Sequence, residues 1–197
     1  TLTPEENVSV DEIKLEATKI LGGADITIDG NRIIERDDLA MVSVATPLGG
    51  DAALKRALKA GHGLAMPSAT RSTTSKNGMR AVNTAQDQIL LVFARTTPDA
   101  EHHVRTGLKG TGYTTDQTDS LVAIEIFGPD TMAAMERLCP LDLHPDNFGT
   151  DMAGRTVMEH MAATIICLAD AHFLLLAASS SGLSFLHAIE TSYQNVT

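Results

Sequence analysis

Tryptophan is absent from this 197-residue chain, and Phe and Tyr together make up 4% of it. A core without large rings must be filled by Leu, Ile, Val, Met and Ala, and the surface offers few platforms on which a base or a flat cofactor could stack. Dense basic clusters are missing as well. The formal charge is −10 and the 15 Lys and Arg are scattered, which argues against a phosphate-binding nucleic-acid surface. The two cysteines, Cys139 and Cys167, are too few for a disulfide scaffold. No apolar run approaches the roughly 20 residues that a helix needs to cross a bilayer. The first residues, TLTPEENVSVDE, are acidic and polar rather than signal-like. The expectation is a cytoplasmic globular protein with reduced thiols, bound to neither membrane nor nucleic acid.

Catalytic motifs are also lacking. There is no Gly-x-Gly-x-x-Gly, no phosphate loop and no Ser-centred elbow. The acids Asp116, Asp119, Glu125, Asp130, Glu136 and Asp142 show no spacing that singles out an acid and base pair. Turn and cap roles on a solvated face explain them better.

What is present is a sequence of amphipathic segments, 43% hydrophobic and 20% charged. Ser9-x-x-Glu12 has the form of a capping box, and Ile13, Ala17, Ile20 and Leu21 recur at helical spacing before Gly22-Gly23. Asp29-Gly30 then reads as the turn of a hairpin. Residues 1–38 are therefore expected to form an arm of helix and hairpin that packs on the body or on a partner. The body, 39–197, reads as one α+β domain of two halves, about 39–112 and 113–197.

In the first half, 39–44 predict a strand, and Ala52, Leu54, Ala57 and Leu58 the inner face of a helix closed by Gly61. Residues 67–78 predict a solvated loop. Residues 89–93 (ILLVF) suit a central strand, and 98–108 a helix with Ala100, Val104 and Leu108 inward. In the second half, Val122, Ile124 and Ile126 share one strand face, and Glu125 implies that the other face is partly covered. Pro129 suits the first turn of the helix that follows, with Met132, Met135, Leu138 and Cys139 on one side. Residues 155–168 and 172–178 predict paired strands, and a final helix turns Phe185, Leu186, Ile189 and Tyr193 inward.

The most constrained phrase is Cys139-Pro140-Leu141-Asp142-Leu143-His144-Pro145. Each proline fixes its own φ and pushes the preceding residue out of the α region. Cys139 and His144 are therefore extended or in turns, and Leu141 and Leu143 project opposite Asp142. A Cys/His metal site would need a second ligand cluster, and none lies near in sequence. A Cys139 nucleophile would sit at a helix C-terminus, where the dipole disfavours a thiolate. The phrase reads as a rigid corner, Cys167 as core, and His102-His103 as one surface and one half-buried residue.

Residues 114–148, TTDQTDSLVAIEIFGPDTMAAMERLCPLDLHPDNF, closely resemble the gamma subunits of heterotetrameric sarcosine oxidase, and 179–192, SSSGLSFLHAIETS, fit the last helix of that family. The order of elements agrees over about 39–194, and the match is strong from Thr114 onward. The resemblance implies two ferredoxin-like halves related to the folate-binding aminomethyltransferase fold. It also implies a complex in which alpha, beta and delta subunits carry NAD, FAD, FMN, zinc and tetrahydrofolate. That complex oxidises sarcosine to glycine and passes the one-carbon unit to tetrahydrofolate. Gamma-like chains of N-methylglutamate dehydrogenase share the motif, and a stand-alone folate-binding protein is the competing class. On the family pattern this chain holds no catalytic, cofactor or metal residue of its own. Asp116, Gly128, Pro129, Cys139, Pro140, Asp142, His144 and Pro145 become motif residues and candidate subunit contacts.

Overall fold

A computed structural model describes residues 18–197. The helix expected between Ser9 and Leu21 lies outside the described residues except for its last turn, and 18–21 are not helical. The hairpin is present: β1 (Asp25–Ile28) and β2 (Asn31–Glu35) join through Asp29 and Gly30 at φ 45° and 86°. Both residues are left-handed, which matches the twist of the flanking strands.

Seven elements follow in the first half: β3 (Leu39–Ala45), α1 (Asp51–His62), β4 (Ser72–Thr74), β5 (Arg80–Ala85), β6 (Gln88–Ala94), α2 (Ala100–Leu108) and β7 (Tyr113–Asp116). The second half supplies β8 (Leu121–Phe127), α3 (Thr131–Leu138), β9 (Ala153–Met158), β10 (Met161–Ala169), β11 (His172–Ala178) and α4 (Gly182–Gln194). They build two antiparallel sheets, ordered β4-β5-β6-β3-β7 and β1-β2-β8-β11-β10-β9. In the first sheet β3, β5, β6 and β7 have the order of a split β-α-β-β-α-β unit, with the last strand beside the first. In the second sheet the equivalent place beside β8 is taken by β2.

Of the two surfaces expected to receive the hairpin, the body is the one it meets, and it does so as strands of the second sheet. Ile33 is fully buried opposite Ile126, and the backbone of β2 pairs with β8. A two-stranded hairpin is marginal alone and gains its stability by joining a sheet. The boundary between halves moves. Tyr113–Asp116 pairs with β3 in the first sheet rather than opening the second half.

Each sheet carries two helices on its outer face. Leu54, Leu58, Val104 and Leu108 pack on the first sheet, and Met135, Phe185, Ile189 and Tyr193 on the second. The inner faces meet each other: Met41, Val82, Leu90 and Val92 press against Ala123, Ala153, Ile166, Leu174 and Leu176. Strands covered on both sides read as continuous apolar runs, which is why β6, β10 and β11 do.

Several local expectations change. The run 67–78 contains β4, and Ser72 and Ser75 within it are buried. Ser72 N donates to Asp151 O at 2.7 Å, so this polar segment is spent on a contact between halves. Residues 155–168 are two strands, separated by Glu159 and His160 at φ 44° and 67°. Helix α1 runs past Gly61 to Gly63, whose φ of 67° ends it. Ala52 on that helix is exposed rather than inward, and His102 and His103 are both exposed. Pro129 precedes the N-cap Asp130 instead of lying in the first turn of α3. Met132 and Leu186 are only half-buried, whereas the other inward residues expected on α3 and α4 are buried.

Candidate functional site

The corner after α3 alternates as its prolines require. Cys139 has φ −122° and ψ 126°, while its N still donates to Met135 O at 2.9 Å, closing the helix. Cys139 and Leu143 are buried, Leu141 is half-buried, and Pro140, Asp142, His144 and Pro145 are exposed. Asp142 ties the loop together. Its carboxylate accepts from His144 N at 3.0 Å and from Asn147 Nδ2 at 2.5 Å, and Phe148 N donates to His144 O at 2.8 Å. The His144 amide, then Asn147, hold the Asp142 carboxyl below the usual carboxylate range.

This geometry separates Cys139 from His144. The thiol faces the core, and His144 points outward with Nδ1 3.6 Å from Asp146. Burial pushes the thiols of both Cys139 and Cys167 above their ordinary value, the opposite of what a nucleophile needs. Among the described residues no group of three or more His, Cys, Asp or Glu side chains could hold a metal ion.

Gly128 and Pro129 pack against the hairpin. At φ 142°, Gly128 lies so close to β2 that a Cβ would sit 2.6 Å from Asn31 Cα. Asn31 is fully buried. Its Nδ2 donates to Ile28 O at 3.1 Å and Asp130 Oδ2 at 2.9 Å, and its Oδ1 accepts from Asp130 N at 2.8 Å. One side chain thus fastens the hairpin turn to the start of α3. Asp116 lies elsewhere, at the end of β7, where Oδ1 accepts from Thr118 N in the link to β8 at 2.9 Å. The structure brings Gly128 and Pro129 to the hairpin, gathers 139–145 over Phe148, and leaves Asp116 at the seam between halves.

That seam holds a polar cluster that sequence reasoning missed. Glu125 has a side chain 12% exposed, and it pairs with Arg36 and, at 2.6 Å, with His172 Nε2. Arg36 also forks onto Asp38 at 2.7 and 2.8 Å. Asp38 first, then Glu125, holds the Arg36 guanidinium well above its ordinary value, and Arg36 holds Asp38 below the carboxylate range. Beside this cluster a cleft of ≈ 300 Å³ opens between the halves. Its charges face one another: Lys19 meets Asp37 at 2.9 Å, and Glu35 accepts from Leu21 N at 2.8 Å and Gly23 N at 2.6 Å. Such an arrangement cross-links the fold. Asn31 followed the hairpin turn without periodicity to mark it, and Glu125 showed only as an odd acid in an apolar strand.

No family model matches the chain, and no curated protein sequence matches it. Among solved structures it is similar to a chain of the heterotetrameric sarcosine oxidase from Corynebacterium sp. U-96 in complex with pyrrole 2-carboxylate. The TM-score is 0.74 at 19% identity, over 87% of this chain and 88% of that one. It is also similar to the glycine cleavage system aminomethyltransferase T from Bartonella henselae, with a TM-score of 0.59 at 10% identity over 81% of this chain. The match spans 45% of the aminomethyltransferase, less than half of it. At these identities the likeness is one of fold.

Proposed function

We propose that this chain is a non-catalytic structural subunit, of gamma type, in a flavin-dependent heterotetrameric sarcosine oxidase. The complex would oxidatively demethylate sarcosine to glycine and pass the one-carbon unit to tetrahydrofolate. The observation that carries this reading is the extent of the structural match. It runs nearly end to end in both directions against one chain of a heterotetramer, but covers under half of the aminomethyltransferase. A stand-alone folate enzyme is disfavoured on that ground. The halves are ferredoxin-like units related to the folate-binding fold, kept here as a packing module.

The chemistry of the side chains supports the same division of labour. Both thiols are buried and protonated, and the buried carboxylates Glu35 and Glu125 are engaged by backbone N–H groups or by Arg36 and His172. FAD, FMN, NAD, zinc and tetrahydrofolate are accordingly assigned to alpha, beta and delta partners, and the complex to the cytoplasm. Asp116, Gly128, Pro129 and the corner Cys139, Pro140, Asp142, His144 and Pro145 are assigned to shaping surfaces that meet those partners. A second reading, the equivalent subunit of an N-methylglutamate dehydrogenase, rests on the same motif and differs in substrate and electron acceptor.

Purification through a tag on this chain, co-expressed with its three companions, tests the reading. The expected product is a yellow four-chain complex whose flavin is bleached by sarcosine, with His144→Ala leaving that bleaching intact. An isolated chain that is a stable monomer binding tetrahydrofolate tightly, and that captures no companion, would overturn it. Bleaching by N-methylglutamate but not sarcosine would select the second reading.

A further inference from the structure

Beneath the corner lies a hollow of ≈ 280 Å³ whose lining includes Met132, Leu143, Pro145, Phe148, Cys167 and Phe173. Its walls are already set. Leu143, Phe148, Cys167 and Phe173 are buried, and the loop above is pinned by Asp142, as described. The β10–β11 ladder shifts register between Cys167 and Ala169, and Ala171 turns at φ 48°, which holds the far rim open.

The rim is acidic. Asp170 lines the hollow and is exposed, and Asp146, next to Pro145, is 88% exposed. Asp170 enters no ion pair among the described residues, and Asp146 meets only His144, at 3.6 Å. Asp151, beyond the rim, is already engaged by Arg80 at 2.5 Å. The volume is below the roughly 300–1,000 Å³ of small-molecule pockets, a size that suits one side chain better than a cofactor.

We propose that this hollow seats a single apolar side chain, of Leu, Met or Phe size, from a partner polypeptide whose same segment carries Lys or Arg facing Asp146 and Asp170. The proposal rests on the subunit reading and gives it a face. An apolar anchor in a preformed pocket with a charged rim has the anatomy of an interface hot spot, and rigid walls lower the ordering cost of binding. Charge selects the occupant. A second copy of this chain, at a formal −10, would bring acid against acid, whereas a basic segment is attracted and held in register.

The test uses the co-expressed four-chain complex and three forms of this chain: wild type, Asp146→Lys with Asp170→Lys, and Asp87→Lys in the exposed β5–β6 turn as a control. Affinity of each form for the companion chains is measured at low and high salt, with Tm of each form recorded. The double variant is expected to bind about tenfold more weakly at low salt, with Tm unchanged and the gap narrowing at high salt, while the control binds as wild type. Equal affinity of the double variant and wild type would overturn the proposal while leaving the subunit reading standing. A photo-crosslinking residue at Thr150, another residue lining the hollow, is expected to capture a companion peptide with an apolar residue within about two positions of Lys or Arg. Capture of a second copy, or of a peptide without a basic residue, overturns it. A wild-type chain that assembles with no companion overturns the subunit reading and this one together.

Discussion

Replacing Gly61 by Ala should destabilise the chain, although helix propensity argues for the reverse. Gly61 lies inside α1 with no left-handed φ to protect, so Ala would gain up to about 1 kcal/mol of helix propensity. Against this, the new Cβ would lie 2.3 Å from Gly107 O, 2.8 Å from its carbonyl carbon and 3.0 Å from its Cα. These are backbone atoms of α2, and no side chain can turn aside. The two helices must separate, loosening Leu54 and Leu58 from Val104 and Leu108, all of which are fully buried. Overpacking costs roughly 1–3 kcal/mol, and an approach of 2.3 Å to backbone belongs in the upper part of that range, about 2–3 kcal/mol, so after the helix gain the net loss is about 1–2 kcal/mol. For a domain of this size that lowers Tm by about 2–8 °C in thermal unfolding followed by circular dichroism. Gly107→Ala offers an internal comparison. Its Cβ would meet the His62 ring at 2.3 Å, a side chain rather than backbone, so its cost should be the smaller. A Tm that rises on Gly61→Ala would refute the close helix approach, and with it the packing of α1 on α2.

Asn31→Ala removes the side chain that joins Ile28 O, Asp130 N and Asp130 Oδ2, leaving buried polar groups unpaired; a loss of about 1–3 kcal/mol is expected in urea unfolding, and an unchanged midpoint would contradict it. The ring of His62, 8% exposed, is bonded through Nε2 to Val104 O at 3.1 Å, and burial lowers its pKa. The unfolded chain therefore takes up the proton first, so stability is full above about pH 6.5 and falls as pH drops toward the folded value. His62→Leu should flatten that slope between pH 7 and 5, and an equal slope in both forms would exclude His62 as its source. The Tyr193 hydroxyl is pushed up to about 12 by burial, so stability is retained below about pH 10 and declines as pH rises toward 12. Tyr193→Phe should remove that alkaline decline, as read from Tm against pH, and a persistent decline would point to another group.

Segments whose pattern is self-sufficient were legible. Ala100, Val104 and Leu108 recur at helical spacing, and all three are buried in α2. The corner was legible because Pro140 and Pro145 constrain their own neighbours, so the in-and-out order from Cys139 to His144 needed no tertiary information. Strands β4 (STT) and β7 (YTTD) are short and polar, and they exist because Val82 and Val42 offer them hydrogen-bonding edges. Nothing in such residues marks a strand until a partner is present. Glu125 meets Arg36 across 89 positions and His172 across 47, a separation at which no local spacing rule operates.

The sequence alone determined the character of the pieces: amphipathic helices, doubly covered strands, a hairpin at Asp29-Gly30 and a rigid corner. These follow from backbone sterics and the periodicity of apolar residues, which act over a few positions. Tertiary structure alone decided that β2 completes the second sheet, that the polar run around Ser72 bridges the halves, and that the corner rises over an apolar hollow with an acidic rim. Each of those depends on which buried surfaces and unpaired backbone edges find each other. That is a property of the assembled chain, because hydrophobic burial and strand pairing carry no record of sequence distance.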